Sequence, residues 1–246
     1  MEEREYEVMA SVEDRHFWFV GTRGMVRDAV LAARLPRDAE VLDLGCGTGG
    51  TMKALAGLGR FTGLDTNETA ARLAERRTGN RVVLGSGTSL PFGDASFDAV
   101  LALDVFEHIE DDLAAVREAR RVLRPGGALV ATVPCHPFLW SAHDRALHHV
   151  RRYTRPGFLA VLREGGFRVE RATWTNAILF PAVAAVRLAG RAVPRHGEGA
   201  PRSDAQVRLG PLNGLLSAVF QAERRLVRRL DLPFGVSLLV VARPSR

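Results

Sequence analysis

Two stretches of this 246-residue chain concentrate imidazole and carboxyl groups, the side chains that most often move protons in enzymes. Residues 104–109 read DVFEHI and hold Asp104, Glu107 and His108. Residues 134–154 read PCHPFLWSAHDRALHHVRRYT and hold four further histidines, so five of the seven histidines lie in these two stretches. This concentration indicates acid–base chemistry on a bound substrate.

The candidate bases are His143, His108 and His148, in that order, and Asp144 is the carboxylate expected to orient a neighbouring imidazole. Each histidine could instead be a hydrogen-bonded wall residue. His148 and His149 are adjacent, so on regular structure they cannot both face one site. His143 together with residues 148 and 149 has no familiar metal-ligand spacing, and we therefore expect no metal site.

Three arginines follow these histidines in the segment HHVRRYTR, namely Arg151, Arg152 and Arg155. Two interpretations are equally open: a solvated loop, or a clamp that binds an anionic group of the substrate through bidentate guanidinium contacts. The residues predicted to contact the substrate are Trp18, His136, Trp140, Arg152 and Tyr153.

A glycine-rich loop follows an apolar run in the stretch VLDLGCGTGG, residues 41–50. Gly45, Gly47 and Gly50 match the dinucleotide pattern G-x-G-x-x-G, and Asp65, about twenty residues further on, is placed to bind ribose hydroxyls. This match fits NAD and S-adenosylmethionine alike. Asp43 separates the two, because an acid would repel a pyrophosphate but attract the ammonium group of S-adenosylmethionine.

Strands and helices alternate along the chain. Apolar runs predict seven strands, and helical periodicity appears between most of them. The predicted strands are 41–44, 60–65, 81–85, 97–104, 128–134, 167–174 and 235–244; the predicted helices are 25–35, 50–59, 68–77, 112–123, 155–166 and 212–230; and PGG at 125–127 predicts a turn. The alternation predicts an α/β fold, a mostly parallel sheet with helices on both faces and right-handed crossovers.

Four stretches in this order and spacing resemble the class I S-adenosylmethionine-dependent methyltransferases: VLDLGCGTGG, FTGLD, LPFGDASFDAVLALDVFEHI and RVLRPGGALVATVP. The resemblance runs from about residue 24 to residue 174 and includes the last strand. It implies a Rossmann-like sheet of order 3-2-1-4-5-7-6 with strand seven antiparallel. It also implies S-adenosylmethionine as cofactor and S-adenosylhomocysteine as product. The segment H-x-R-R-Y is similar to one in a bacterial subgroup of the family.

The resemblance further implies a set of cofactor contacts. The predicted contacts are Asp43, Gly45, Cys46, Gly47, Gly49, Asp65, Thr66, Ser86, Gly87, Leu103 and Asp104. Within this set Asp65 would bind the ribose and Thr66 would lie near the adenine. Ser86 stands where the family often has an acid for the adenine amino group, so a hydroxyl or a backbone group would have to substitute for that acid.

Two segments are expected to lie outside the core. Residues 1–24 would form an N-terminal cap, 25–174 plus 235–246 the cofactor-binding core, and 175–234 a helical lid insertion. Because a parallel strand six ends at the ligand-binding edge, the insertion would begin over the site. The apolar stripe of the 212–230 helix would then line a substrate pocket; a dimer interface and an interfacial membrane helix are the alternatives.

The expected function is transfer of a methyl group to a small-molecule acceptor by in-line displacement, in bacterial natural-product, sugar or lipid metabolism. Oxygen is the expected acceptor atom, with nitrogen and carbon as alternatives. Nucleic acid is not an expected partner, because DVFEHI replaces the N/D-P-P-Y/F motif typical of base methylation. The competing hypotheses are an NAD-dependent oxidoreductase and a protein that binds cofactor without methyl transfer, in a binding or cyclase role.

Charge and cysteine usage add coarser expectations. The net charge of +6 comes almost entirely from arginine and does not by itself decide the partner. Two distant cysteines and a charged N-terminal stretch without an apolar leader predict a cytoplasmic protein, as monomer or homodimer, with contact to a membrane surface as an alternative.

Overall fold

Seven strands form one sheet in the order β3-β2-β1-β4-β5-β7-β6 in the computed structural model, which describes residues 3–192 and 209–245. The strands are β1 Glu40–Leu44, β2 Arg60–Asp65, β3 Arg81–Leu84, β4 Phe97–Leu103, β5 Leu123–Pro134, β6 Phe167–Thr175 and β7 Ser237–Pro244. Strand β7 runs antiparallel to β5 and β6, and the other pairs are parallel. The predicted fold class and strand order are confirmed.

Helices flank the sheet on both faces. They are α1 Glu3–Val12, α2 Phe17–Ala32, α3 Gly50–Ala54, α4 Glu68–Thr78, α5 Asp112–Val122, α6 Ala142–Ala146, α7 Arg155–Glu164, α8 Phe180–Ala192 and α9 Leu212–Val227. Local capping explains several starts: the Asn67 side chain accepts from the Ala70 N–H, and Asp111 accepts from the Ala114 N–H, each at 2.9 Å. The predicted helix 25–35 is wrong at its start, because His16 caps a helix that already includes the aromatic residues 17–19.

Residues 125–127 do not form the predicted free turn. Strand β5 already begins at Leu123, which pairs with Phe97, and the register then shifts so that Ala128 pairs with Ala99. The residues between them form a bulge in which Gly126 has a φ of +81°, a conformation that glycine adopts without a steric penalty. The PGG sequence therefore forms an irregularity within β5 and not a turn that precedes the strand.

The core has two layers, one on each face of the sheet. Val41 and Leu42 are adjacent in β1 and fully buried, yet they belong to different layers because successive side chains of a strand point to opposite faces. Helices α5 and α7 supply Val116 and Phe158 to one layer, whereas α2 and α9 cover the other. Both faces are closed, as a parallel sheet requires.

The expected lid insertion divides into two parts with different positions. Phe220 of α9 lies directly over Gly21 of α2, where an added Cβ would collide with the ring, and Arg224 bonds both oxygens of Asp28 at 2.6 and 2.8 Å. Phe220 and Val227 are buried in the layer that covers the sheet. Use of this apolar stripe to line a substrate pocket was therefore wrong: the stripe packs into the core.

Helix α8 takes the position nearer to the ligand-binding edge. It packs against the short turn Pro137–Leu139 that follows β5, and Arg187 donates to the Ser141 hydroxyl at 2.5 Å. Residues 193–208 of the insertion lie outside the described residues. Among the described helices, none combines the length and apolar character needed to cross a membrane.

Candidate active site

The glycine loop turns sharply under the end of β2. The N–H groups of Gly45 and Cys46 both donate to the Leu64 carbonyl, at 2.8 and 3.0 Å. Gly45 has a φ of +67°, and an added Cβ would meet the Val105 side chain at 2.6 Å. Both the backbone conformation and the lack of space exclude a side chain at residue 45. Gly45 is exposed, so a ligand can approach its backbone.

Asp43 ends the buried part of β1 directly before this loop. It is 2 % exposed, and its Oδ2 atom has no hydrogen-bond partner within residues 3–192 and 209–245. Burial raises the pKa of Asp43 to about 7; Arg23 opposes this shift, while Asp65 and Glu13 add to it. A buried, unpartnered carboxylate oxygen needs a donor, and a ligand ammonium group would supply one.

Asp65, at the end of β2, joins the glycine loop to the next helix. Its two oxygens accept from the N–H groups of Gly47 and Asn67, each at 2.9 Å. Asp43 and Asp65 thus lie beside the same loop, at the carboxyl ends of neighbouring parallel strands, where open α/β sheets bind their ligands.

The N-terminal helix covers the glycine loop. A Cβ added to Gly47 would lie 3.3 Å from the Met9 methyl group. Glu13 is 2 % exposed and bonds the guanidinium groups of Arg23 and Arg77 and the hydroxyl of Thr48. Since Thr48 belongs to the loop itself, this buried cluster attaches residues 9–13 to the candidate cofactor site, in the position expected of a cap.

The residues predicted to lie near an adenine have varied surroundings. Thr66 is exposed and Gly87 is buried against Ile109. Ser86 is exposed, and its hydroxyl lies 2.9 Å from the Thr88 hydroxyl and accepts from the Thr88 N–H at 3.2 Å. The Ser86 hydroxyl is therefore already hydrogen-bonded within a local turn, and a backbone group remains as the candidate to contact the adenine.

The segment after β4 extends from the cofactor loop toward the histidines. Leu103 ends β4, and Asp104 follows with a φ of +54° and a carboxylate that accepts from the Thr132 hydroxyl at 3.0 Å. Burial raises the pKa of Asp104, and it raises the pKa of Glu107 well above the usual range. Glu107 has no exposed surface, and neither of its oxygens has a partner on another described residue.

A buried ion cluster lies beyond β5, centred on Asp144. Its Oδ1 atom is 3.0 Å from His149 Nδ1 and 2.6 Å from Arg152 Nε, and Oδ2 accepts from the Ser141 N–H at 2.8 Å. Burial raises the pKa of Asp144, but the His149 hydrogen bond and the Arg152 charge outweigh it, so the pKa lies below its usual range. Asp144 orients an imidazole, as predicted, and that imidazole is His149.

The other histidines surround His149. The His108 ring lies 4.7 Å from the His149 ring and perpendicular to it, and the His143 ring lies 6.2 Å away. His148 has a φ of +56° and is exposed, whereas the His149 side chain is 4 % exposed. The expectation that the adjacent pair divides between interior and solvent is thus met, but His149, which was not ranked as a base, is the inward residue.

Two of the predicted substrate contacts have other partners. The Arg152 side chain is 2 % exposed and bonds Asp144 and the Cys135 carbonyl, and Tyr153 is buried with its hydroxyl 2.6 Å from Asp112. Arg151 likewise pairs with Asp112. Both interpretations were wrong for Arg152, because its buried guanidinium group neutralises an acid of the protein itself, whereas Arg151 pairs with Asp112 at a partly exposed position and Arg155 is exposed, as the solvated loop predicts.

The remaining predicted contacts divide between core and site. Trp18 packs edge-on against Phe220, between α2 and α9, a position that favours a packing role. His136 stacks on Trp174 at 4.8 Å, and its Nε2 lies 2.9 Å from the Gly235 carbonyl. Trp140 ends the short turn against which α8 packs. Among the predicted substrate contacts, His136 and Trp140 are therefore the two that flank the turn against which α8 packs.

Sequence reasoning missed the importance of Glu107 and His149. Both were visible as members of the two polar stretches, but nothing in their spacing shows that the turn after β4 meets the loop after β5. A usable signal was the adjacent pair at 148–149, which allows only one inward imidazole, together with a carboxylate five residues earlier. That combination points to His149 as the oriented histidine.

Comparison with known proteins places this site in a family. The family described as "Methyltransferase domain" matches residues 42–131. A probable S-adenosylmethionine-dependent methyltransferase of Mycolicibacterium smegmatis is 34 % identical over 53 % of this chain and 52 % of its own length. An O-methyltransferase of Penicillium expansum is 33 % identical over 63 % of this chain and 60 % of its own length. The chain thus spans little more than half the length of these relatives.

The crystal structure of the [4+2]-cyclase SpnF shares the fold, with a TM-score of 0.59 and 23 % identity over 90 % of this chain and 81 % of that one. Fold, glycine loop and sequence relatives agree on one class. Residues 42–131 carry a methyltransferase domain, and the strand order and the glycine loop are those of the class I S-adenosylmethionine-dependent type. S-adenosylmethionine is the cofactor that this family implies, and the unpartnered oxygen of Asp43 beside a bare glycine loop fits its ammonium group.

Proposed function

We propose that this protein transfers a methyl group from S-adenosylmethionine to an oxygen atom of a small-molecule acceptor, in bacterial biosynthesis of a natural product, sugar or lipid. The observation that carries the proposal is the buried Asp43 oxygen without a partner among the described residues, beside the glycine loop, because an acid at this place would repel an anionic pyrophosphate. The O-methyltransferase relative from Penicillium expansum supports oxygen as the acceptor atom.

The protein residues have distinct tasks in this proposal. Asp43 binds the ammonium group, and Gly45 and Gly47 let the backbone approach the methionine portion. Asp65 accepts hydrogen bonds from the ribose hydroxyls, which replace its hydrogen bonds with the backbone. S-adenosylmethionine supplies a methyl group that is already activated on its sulfonium, so the protein contributes orientation and exclusion of water. The cap residue Met9, which lies over Gly47, assists in excluding water.

The acceptor would lie between the turn after β4 and the loop after β5. The imidazoles of His108 and His143 pack against the ring of His149 beside this position, and Asp144 fixes the tautomer of His149. A hydroxyl nucleophile must lose its proton as it attacks, and this cluster is the group that would take it, at a contribution of roughly 10²–10⁴-fold.

Calorimetric titration with S-adenosylhomocysteine tests the cofactor assignment. We expect binding to the wild-type protein and a loss of about 10–100-fold in affinity for Asp43→Asn, because a charged hydrogen bond is worth roughly 1.5–3 kcal/mol. Glu68→Gln is the matched control, since this exposed acid lies on α4 close to the same edge of the sheet. Titration with NAD runs in parallel; binding of NAD in place of S-adenosylhomocysteine would overturn the proposal.

Methyl transfer itself needs a second assay, because the same fold serves a [4+2]-cyclase in SpnF and fold alone does not determine the reaction. Incubation with methyl-labelled cofactor and a panel of phenols, sugars and hydroxylated lipids should give labelled product. Cofactor binding without transfer to any oxygen, nitrogen or carbon acceptor would instead favour a protein that keeps the cofactor and has another role.

A further inference from the structure

We propose that Glu107, His108 and His149 form a binding site for a divalent transition-metal ion. One ligand atom from each of these three side chains lies within 4.8 Å of the other two. Two of the ligands are consecutive residues in the turn after β4, and the third comes from the loop after β5. Sequence spacing predicted no metal site, because that prediction compared only histidines of one loop with one another.

Glu107 is the strongest indication of a missing ligand. The side chain has no exposed surface, and both carboxylate oxygens lack a hydrogen-bond partner on any other residue in the described part of the chain. A carboxyl group buried in this way is costly unless a proton or a cation compensates it. Arg152, the buried cation nearby, is already engaged by Asp144 and the Cys135 carbonyl.

Both imidazoles are held as metal-ligating histidines usually are. Metal-bound histidines donate their second ring nitrogen to a carboxylate or a backbone carbonyl, which fixes the ring and the tautomer. His149 uses Nδ1 for Asp144 at 3.0 Å, and the backbone of His148 bonds the His108 ring. Each ring therefore keeps its second nitrogen available as a metal ligand, and the two supporting contacts come from different residues of the same loop.

The donor set indicates the class of metal. Two imidazoles and one carboxylate suit Mn²⁺, Fe²⁺, Co²⁺ or Zn²⁺, whereas Mg²⁺ and Ca²⁺ prefer oxygen ligands. Three protein ligands leave coordination positions open for a substrate. His108 is exposed while Glu107 is buried, so the cluster reaches from the interior to the surface at its His108 side.

The position of the site gives it a role that rests on the proposed function. Val105, two residues before Glu107, contacts Gly45 of the cofactor loop, so the metal site and the cofactor site are joined by one short turn. An acceptor hydroxyl bound in an open metal position would lose its proton more easily, as metal-bound water does, and the proton would pass to His143, whose ring lies 6.2 Å from that of His149 and which is not a ligand. Acceptors with a chelating pair of oxygens, such as vicinal hydroxyls on a ring, are the class that such a site would favour.

The test is direct titration of metal-free, tag-free protein with Co²⁺, followed through its visible absorption, with Zn²⁺ added afterwards as competitor. We expect one equivalent per chain, displaced by Zn²⁺. Glu107→Gln and His149→Ala should each weaken Co²⁺ binding by about 100-fold or more, beyond the 10–100-fold typical of losing a supporting contact. Arg145→Gln is the control, because it changes an exposed side chain of the same loop that supplies neither a ligand nor a supporting contact.

Circular dichroism of each variant separates loss of the site from loss of the fold. Unchanged Co²⁺ binding in both ligand variants, or no binding by the wild-type protein, would overturn the metal site. Calorimetry with S-adenosylhomocysteine on the same preparations keeps the two proposals apart. Metal binding without cofactor binding would overturn the proposed function alone, and cofactor binding without metal binding would overturn only the metal site.

Discussion

The two halves of the candidate site are stabilised in different ways. The cofactor half consists of a contiguous loop whose backbone N–H groups bond Leu64 and Asp65. The acceptor half depends on charges buried between separate segments, since Asp144 has no exposed surface, pairs with Arg152 and is hydrogen-bonded to His149. The loop conformation depends on nearby backbone hydrogen bonds and should therefore tolerate substitutions around it. A buried charge, in contrast, destabilises the protein when its partner is removed.

The largest effect should follow from Arg152→Met, which leaves Asp144 buried without its main cation. Removing one partner of a buried ion pair costs about 3–5 kcal/mol. We expect a loss of this size in the free energy of unfolding, measured by urea denaturation. Arg155→Ala, three residues away and exposed, should change stability by no more than about 0.5 kcal/mol.

The same Arg152 variant sharpens the comparison when its cofactor binding is measured below its unfolding transition. Affinity for S-adenosylhomocysteine should stay within about threefold of the wild type, which is less than 1 kcal/mol. A large loss of cofactor affinity in this variant would show that the cofactor half depends on the buried charges of the acceptor half, and that the two halves are not independent.

The cofactor half should show its own dependence on pH. Burial raises the pKa of Asp43 to about 7, with Arg23 opposing and Asp65 and Glu13 adding to the shift. The ammonium group of the ligand binds the carboxylate form, so affinity falls as pH falls through the pKa of Asp43. Calorimetry should give about tenfold weaker binding of S-adenosylhomocysteine at pH 6 than at pH 8. The profile of Asp43→Asn should be flat over that range.

The smallest effect is expected at Ser86, within the cofactor half. The Ser86 hydroxyl is exposed and occupied by Thr88, so it has little to offer an adenine. Ser86→Ala should therefore change the affinity for S-adenosylhomocysteine by about 0.5 kcal/mol or less. A tenfold loss in calorimetry would mean that this hydroxyl leaves its turn to contact the base, and that the cofactor half rearranges on binding.

These contrasts explain what could be predicted from sequence. The strands and the glycine loop follow from short-range patterns, because apolar periodicity and glycine conformations act over a few residues. Asp43 could be singled out before its burial was known, since its role depends on the loop that it precedes. All seven predicted strands exist, with ends displaced by only a few residues.

The acceptor half could not be predicted from sequence, because its residues contact partners that are distant in the chain, and because charged residues that pair with one another are buried there. Arg152 occurs in an arginine-rich segment that is typical of a surface, and only the fold shows Asp144 and the Cys135 carbonyl around it. The apolar stripe of α9 could be recognised in the sequence, but the surface against which it packs could not. The Phe220 ring packs against Gly21, and a single glycine in a helix does not indicate which residue will contact it.

One carboxylate, Glu13, offsets the positive charge beside the glycine loop, although it lies outside the matched methyltransferase domain. Glu13 lies between Arg23 and Arg77, and it belongs to the segment that precedes the matched residues 42–131. Without it, two guanidinium groups would face the loop, and the local potential would favour phosphate over sulfonium. Glu13→Gln would thus keep the fold and the glycine loop while shifting the ligand preference of that loop from cationic toward anionic groups.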